Sequence, residues 1–196
     1  MNSGLDIISV LTGVVSCATA VVGMWLKLKF DERKSKQLNY DPNLHGSVIS
    51  ALEFTMSETE ADRVYVMEFH NGENYFSGKS QQKLSCTYEV VSEGISCEYA
   101  KLQNIRVSNM HSMVQEIAKE EPFLCDSIDG YSQDISFKSF LQEKGVKSMF
   151  AQPVKSLNGK ILGIIIIEYV KEQRAWGDNA QEFMEKQARV ISGYLI

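Results

Sequence analysis

The longest apolar segment of the chain lies near its amino end. No charged residue interrupts residues 7–26 (IISVLTGVVSCATAVVGMWL). Five basic residues follow within ten positions: Lys27, Lys29, Arg33, Lys34 and Lys36. At a helical rise of about 1.5 Å per residue, a helix of this length spans roughly 30 Å, the thickness of a bilayer's hydrocarbon core. The pattern predicts one transmembrane helix, with residues 1–27 as a membrane anchor.

Two alternatives for this segment remain open: a signal or lipoprotein peptide, and a buried helix of a soluble domain. A signal peptide begins with basic residues, whereas the amino end of this chain carries Asp6 and no Lys or Arg. Residues 14–17 (VVSC) resemble a lipoprotein cleavage box, but the apolar residues continue beyond it to Leu26. Trp25 lies near the end of the segment, where an aromatic ring favours the membrane–water boundary. These features favour the transmembrane helix.

The basic residues after the apolar segment predict its orientation. Cytoplasmic flanks of membrane helices carry an excess of Lys and Arg. We therefore expect a single-pass protein with its amino end outside and the rest of the chain in the cytoplasm. Residues 28–43 form a basic juxtamembrane helix or linker in this interpretation, and the lipid bilayer is a partner through its anionic head groups.

Beyond residue 43, helical and strand patterns follow one another. Hydrophobic residues at helical spacing predict a first helix, and alternating β-formers predict strands over 63–70 and 84–91. Residues 95–107 give no clear pattern. The later elements are helices over 109–119 and 136–144, strands over 146–155 and 160–170 joined by Asn158-Gly159, and a last helix from Asp178. Strand 160–170 is so apolar that both its faces must be covered, which places it at the centre of a sheet.

This order of elements predicts the fold class. We expect an α+β domain over residues 44–196, in which helices sandwich an antiparallel sheet. The first and last helices pack on one face of that sheet. The interpretation gives three parts: the anchor, the juxtamembrane segment and this domain.

Composition and charge exclude some classes of function. The chain has 196 residues, 44% of them hydrophobic and 23% charged, which suits one globular domain behind an anchor. Its formal net charge is −5, and residues 37–196 alone carry −7. An acidic domain of this kind is a poor electrostatic partner for nucleic acid, so we exclude nucleic acid from the expected partners.

The sequence gives little support to catalysis or metal binding. It has no G-x-S-x-G, P-loop, H-E-x-x-H or dinucleotide-binding glycine pattern. The four cysteines, Cys17, Cys86, Cys97 and Cys125, form no C-x-x-C pair and have no histidine cluster beside them. We expect no cofactor, no metal and no enzyme activity. A small hydrolase or redox enzyme that uses one of the last three thiols is a minor alternative.

Candidate ligand-binding residues concentrate where the first predicted strand ends. There the sequence EFHNGEN places polar groups at a strand end and loop, a common position for binding residues. Glu89 lies within an apolar strand, and Glu168 does the same; whether each faces inward is open. The cysteines are either core residues or points of ligand attachment. The candidate set is Glu68, His70, Asn71, Tyr75, Phe76, Glu89, Cys97 and Cys125.

The last third of the chain resembles the end of a GAF domain. The features that carry the resemblance stand in the family's order between Phe140 and Leu195: Gly145-Val146, Pro153, Asn158-Gly159, Leu162-Gly163, Trp176 and Asp178. The resemblance implies about six antiparallel strands, a small-molecule pocket between the sheet and its middle helices, a sensory or regulatory role, and homodimers. The Asn-Lys-Phe…Asp-Glu signature of cyclic-nucleotide-binding members is missing, and no Cys-His pair suits bilin attachment.

Together these inferences give one expectation for the function and one alternative. We expect a membrane-anchored, cytoplasm-facing, GAF-like sensory or regulatory domain that binds a small ligand or a partner protein and is not an enzyme. The alternative is a scaffold whose pocket is filled by its own side chains. Such a scaffold recruits membrane or cytoplasmic proteins without a ligand.

Overall fold

The computed structural model describes residues 19–29, 41–75, 77–78, 80–177 and 179–195. The chain divides into two compact units, Met1–Asp41 and Pro42–Ile196. In the first unit, residues 19–29 are helical (α1) and every one of them is exposed. Within the described residues, no helix has both the length and the apolar character that crossing a bilayer requires. Residues 7–18 of the predicted transmembrane helix lie outside the described residues.

The second unit is a six-stranded antiparallel sheet with helices on both faces. Its strands lie in the order β3-β2-β1-β6-β5-β4, so β1 and β6 are central and β3 and β4 are the edges. The elements, in chain order, are α2 (Pro42–Thr59), β1 (Arg63–Asn74), β2 (Ser80–Val91), β3 (Ile105–Arg106), a 3-10 helix (Val107–Met110), α3 (His111–Ala118), β4 (Phe123–Cys125), α4 (Ile135–Glu143), β5 (Ser148–Lys155), β6 (Ile161–Tyr169) and α5 (Ala180–Leu195).

The apolar run of β6 explains why this strand is central. Successive side chains of a strand point to opposite faces of the sheet. Ile164 and Ile166 accordingly join one core, and Ile165 and Ile167 join the other. All four are buried, so the prediction of a central strand with both faces covered is confirmed.

Gly163 allows β6 to lie close against β1. A Cβ atom at this position would stand 2.4 Å from the carbonyl oxygen of Met67. This close approach lies beside an irregularity in the β1–β2 pairing between Val66 and Met67. Only glycine fits without a shift of the backbone.

The two cores differ in their covering elements. On one face, Val64, Val66 and Phe150 of the sheet pack with residues of α2 and α5, as the sequence predicted for the first and last helices. On the other face, the sheet packs against the 3-10 helix, α3 and α4. We call the second layer the distal core, with these members: Tyr65, Met67, Leu84, Cys86, Leu102, Met110, Met113, Ile117, Phe123, Cys125, Ile128, Phe137, Leu141, Val146, Met149, Ala151, Ile164 and Ile166.

Three local predictions need correction or extension. The predicted strand over 63–70 is too short, because β1 continues to Asn74 through cross-strand pairing with β2. The unassigned stretch 95–107 contains β3 and the start of the 3-10 helix. The predicted helix over 109–119 begins too early, because Asn109 lies inside the 3-10 helix and α3 starts at His111. Asp178, the predicted start of the last helix, lies outside the described residues.

Candidate functional site

A cluster of buried charged groups lies at one end of the sheet, on the face of the distal core. Arg63 of β1 stands directly opposite Glu168 of β6, and Tyr65 stands opposite Glu89 of β2. The side chains of Arg63 and Glu168 are 0% exposed, that of Glu89 is 2% exposed and that of Lys144 is 5% exposed. We call these five residues the charge cluster. Its two formal cations balance its two formal anions.

Glu168 accepts hydrogen bonds from three members of the cluster. Arg63 Nη1 and Lys144 Nζ donate to its two carboxylate oxygens, and the Tyr65 hydroxyl donates to Oε1 over 2.6 Å. Burial by itself would raise the pKa of Glu168, but the charges of Lys144 and Arg63 outweigh it and hold the pKa below its ordinary value. Glu168 is therefore an ionised carboxylate inside the protein.

Lys144 reaches the cluster because α4 ends beside it. Lys144 is the residue that follows α4, and Gly145 then turns the chain with a φ of 72°. The ammonium group lies 4.9 Å from the ring centroid of Tyr65 and 5.4 Å from that of Phe140. The lysine thus ties the end of α4 to the centre of the sheet.

Glu89 binds the segment that connects β2 to β3. Its carboxylate accepts hydrogen bonds from the backbone N–H of Glu98 (2.9 Å to Oε1) and of Tyr99 (2.7 Å to Oε2). The Cys97 thiol donates to Oε2 over 2.7 Å. Arg63 Nε lies 3.4 Å from Oε1, and Arg63 Nη2 donates to the carbonyl of Ser96 over 2.9 Å. Arg63 therefore joins the two carboxylates and the connecting segment.

A second candidate site is an open groove in which residues of β1, α3 and β6 meet the end of α5. The groove has a volume of about 530 Å³, within the usual range for small-molecule sites. Glu68, His70 and Lys160 supply its charged or titratable groups, and Val114 and Leu195 are among its apolar walls. His70 Nε2 lies 2.9 Å from Ser85 Oγ.

Among the comparisons with known proteins, only the comparison with solved structures gives matches, and these support the fold. No sequence-family model matches the chain, and the curated proteins give no match. Solved structures do match. The blue-light-absorbing form of the PixJ GAF domain of Thermosynechococcus elongatus has a TM-score of 0.62 at 16% identity, over 82% of this chain and 89% of that chain. GAF3 from Slr1393 of Synechocystis sp. PCC6803 has a TM-score of 0.62 at 13% identity, over 77% and 93%. The chain has the GAF fold.

A third similar structure comes from a different class of protein. A methyl-accepting chemotaxis protein has a TM-score of 0.56 at 12% identity, over 77% of this chain and 87% of that chain. Identities this low show the fold alone, because one fold hosts many unrelated functions. The function of this GAF-fold domain must be argued from its own residues.

The resemblance implied a pocket between the sheet and the middle helices. In that place the structure has the distal core, whose members are all buried, and the charge cluster at its end. Phe123 and Phe137 pack edge to face there with ring centroids 5.8 Å apart. The described side chains of this layer pack against one another, and the groove opens at its margin, where Ile117 of α3 belongs to both.

The structure separates the predicted ligand-binding residues into groups. Glu68 and His70 line the groove, whereas Glu89 and Cys97 meet in the charge cluster. Cys125 is buried in the distal core. Tyr75 is exposed. Asn71 belongs to β1, but its side chain, like the whole of Phe76, lies outside the described residues.

Three members of the charge cluster were missed in the sequence. In the sequence, Arg63 starts the predicted strand over 63–70, Tyr65 lies within it, and Lys144 ends the predicted helix over 136–144. None of the three had a predicted chemical role. The sequence contained one indication of a buried cation. Glu168 lies inside the most apolar strand, and a carboxylate that faces inward there requires a positively charged partner. The sequence alone cannot say which of 20 Lys and Arg residues supplies it, since the partners are distant along the chain.

The described thiols lack the properties of a nucleophile. Cys86, Cys97 and Cys125 are free cysteines. Burial, with the nearby Glu89 charge, raises the pKa of Cys86 to about 12. The hydrogen bond to Glu89 raises the pKa of Cys97, and burial raises that of Cys125. A reactive cysteine needs a lowered pKa, so these values do not support thiol chemistry. Among the described residues, no group of three or more His, Cys, Asp or Glu is placed to hold a metal ion.

The charge cluster predicts how stability depends on pH. The pKa of Glu168 is lower in the folded than in the unfolded protein, so this residue stabilises the fold above its unfolded pKa and loses that contribution as the pH falls. In urea unfolding, we expect the free energy to decrease as the pH falls below the ordinary glutamate pKa of 4.5. The variant Glu168→Gln should lose about 3–5 kcal/mol at pH 7 and show a weaker pH dependence, because the buried Lys144 then has no carboxylate partner and Arg63 keeps only Glu89.

The matched control is Glu182→Gln, which removes an exposed carboxylate paired with Lys186. This variant should keep both the stability at pH 7 and the pH profile of the natural chain. If Glu168→Gln were as stable as the control at pH 7, the account of the charge cluster would be wrong.

Proposed function

We propose that this chain is a membrane-anchored, cytoplasm-facing regulatory domain of the GAF fold that binds a small ligand or a partner protein and catalyses no reaction. The observation that carries the proposal is the groove lined by Glu68 and His70. It combines polar groups with apolar walls, as ligand sites do. It also lies next to helix α5, which provides a way for binding to act on the rest of the domain.

The surface of α1 supports the membrane part of the proposal. Its large apolar residues are all exposed: Val21, Val22, Met24, Trp25, Leu26 and Leu28. A helix with an apolar surface on every side is stable only if something covers it. Together with the uncharged segment before it and the basic residues after it, this surface fits a lipid bilayer. The Lys29 ammonium lies 4.4 Å from the ring centroid of Trp25, a pairing suited to the head-group region.

The position of Leu195 suggests how binding in the groove is transmitted. This residue lines the groove and ends α5. The other side of α5 packs against the sheet and lies beside α2, where the ring centroids of Phe54 and Phe183 are 6.3 Å apart. A ligand that fills the groove therefore contacts the end of α5 directly, and we propose that it shifts the packing of α5 against α2.

The outer side of this helix pair is the surface we propose for a homodimer. Phe54 is 52% exposed and Val190 is 44% exposed, and both line an open groove between the helices with Tyr194. Large apolar side chains grouped at one place on a surface are typical of protein contacts. A second copy of the same surface satisfies them in a two-fold arrangement.

The alternative function, a scaffold without a ligand, also has an observation in its favour. The distal core and the charge cluster occupy most of the layer in which the GAF resemblance implied a pocket, and the groove is open only at its margin. If the open groove binds no small molecule, the domain's remaining use is recruitment of a partner protein to the membrane.

The first prediction concerns the membrane. We expect the full chain to sediment with membranes and to require detergent for extraction, whereas residues 42–196 should remain in the supernatant, because the compact unit buries its own core. The double variant Val14→Asp, Val22→Asp should weaken membrane association, since each charge costs about 2.5–3.5 kcal/mol near the bilayer centre. The double variant Val14→Leu, Val22→Leu is the control and should sediment like the natural chain.

A separate experiment tests the orientation in the membrane. Protease added outside intact cells should leave the domain uncut; digestion of the domain would contradict the proposed orientation.

The second prediction concerns the groove. In a thermal-shift screen against nucleotides, amino acids and small organic acids, we expect a compound that raises the Tm. Its affinity, measured by calorimetry, should fall about tenfold or more, or about 1.4 kcal/mol, in His70→Ala. His111→Ala, at the exposed start of α3, should bind like the natural chain. A Tm that no compound changes would favour the scaffold.

The third prediction concerns the dimer. In analytical ultracentrifugation, the dimer of the Phe54→Glu variant should have a dissociation constant about 30-fold higher than that of the natural chain. Central aromatic residues of an interface contribute about 2 kcal/mol or more to its free energy of association. Leu157→Glu changes an equally apolar residue that is fully exposed in the β5–β6 turn. This control should keep the dimer. A monomeric natural chain at all concentrations would argue against the proposed surface.

A further inference from the structure

The shell of donors around Glu89 has the composition of a site for a small carboxylate. We propose that residues 96–99 and Arg63 form a carboxylate-binding site, that Glu89 is the carboxylate tethered in it, and that the site accepts free acetate or formate when the Glu89 side chain is shortened. This inference concerns the charge cluster and does not depend on the function proposed for the groove.

The donors account for both oxygens of the carboxylate. Two successive backbone N–H groups, those of Glu98 and Tyr99, point at it, and successive N–H groups are a common means of binding anions. The Cys97 thiol adds a third donor at 2.7 Å. The Arg63 guanidinium provides the positive charge, with Nε 3.4 Å from Oε1. The same groups would recognise a carboxylate that is not attached to the chain.

The balance of charge favours an anion in this place. With Glu89, the cluster has two cations and two anions. Without it, Glu168 is the remaining carboxylate within ion-pair distance of Arg63 and Lys144, and the nearby Glu98 is already paired with Lys101, so one buried positive charge loses its counter-charge. The two N–H groups lose their acceptor at the same time. Buried groups without partners are costly, so the empty site gains free energy when an anion enters.

Size and access also fit a small carboxylate. The change Glu89→Ala removes four heavy atoms, Cγ, Cδ, Oε1 and Oε2, and acetate has the same four in the same order. The segment that covers the site is thin, since Ser96, Cys97 and Tyr99 are all exposed. A small molecule therefore has a short path from solvent to the vacated position.

The experiment compares the thermal stability of Glu89→Ala in sodium acetate and in sodium chloride at constant ionic strength and pH 7. The variant should melt well below the natural chain in chloride. Acetate at ten times its Kd should raise the Tm by about 3–6 °C. Acetamide, which has the same shape without the charge, should give a smaller rise.

Two controls separate a specific site from a general effect of acetate. The natural chain keeps its own carboxylate in the site, so its Tm should not respond to acetate. Glu89→Gln fills the site with an amide of equal size and should also not respond. A rise of the same size in all three proteins, or no rise in Glu89→Ala, overturns the proposal.

Two further measurements apply if Glu89→Ala does not fold in chloride. Refolding from urea in acetate should then recover folded protein that chloride does not, and recovery in neither buffer overturns the proposal. In the natural chain, hydrogen exchange should show the amides of Glu98 and Tyr99 protected, although Tyr99 is exposed. Rapid exchange of both amides would mean that Glu89 is not held as the structure describes, and would overturn it as well.

Discussion

The arrangement of the whole distal side depends on one guanidinium group. Arg63 lies in the sheet with no exposed surface, and it binds Glu168 on one side, lies within ion-pair distance of Glu89 on the other, and reaches the carbonyl of Ser96 above. A buried ion pair is weak evidence for stability, since desolvation offsets much of its attraction. Its stronger effect is on geometry. The planar guanidinium donates in fixed directions, so it fixes the position of the β2–β3 connection. Lys144, which binds the same Glu168, fixes the end of α4.

The charge cluster and the groove therefore have different characters. The cluster is closed, balanced in charge and surrounded by packed side chains, which are the properties of a structural element. The groove is open to solvent, and its charged and titratable groups, Glu68, His70 and Lys160, are not members of the charge cluster. The two features differ in the way that a structural element differs from an accessible surface. That difference is the physical basis for proposing the groove as the binding site.

The sequence predicted the fold well and the site only in part. The four long strands follow from β-forming runs, and the central position of β6 follows from the continuous apolar character of residues 161–167. β3 has two residues and β4 has three, so neither carries a periodic signal. Glu89 and Glu168 were recognised as costly if buried. Their partners could not be found, because Arg63 lies 26 residues before Glu89 and Lys144 lies 24 residues before Glu168. The sheet register brings Arg63 to the two carboxylates, and the end of α4 brings Lys144.

The two short edge strands affect how this chain behaves when many copies share one surface. Long, exposed strand edges invite other chains to add to the sheet, and short ones discourage it. Anchoring proteins in a membrane raises their local concentration and so increases that risk. The edge strands β3 and β4 have only two and three residues, so each by itself is a short template for strand addition. The proposed dimer through α2 and α5 would then compete with few pairings of these edge strands.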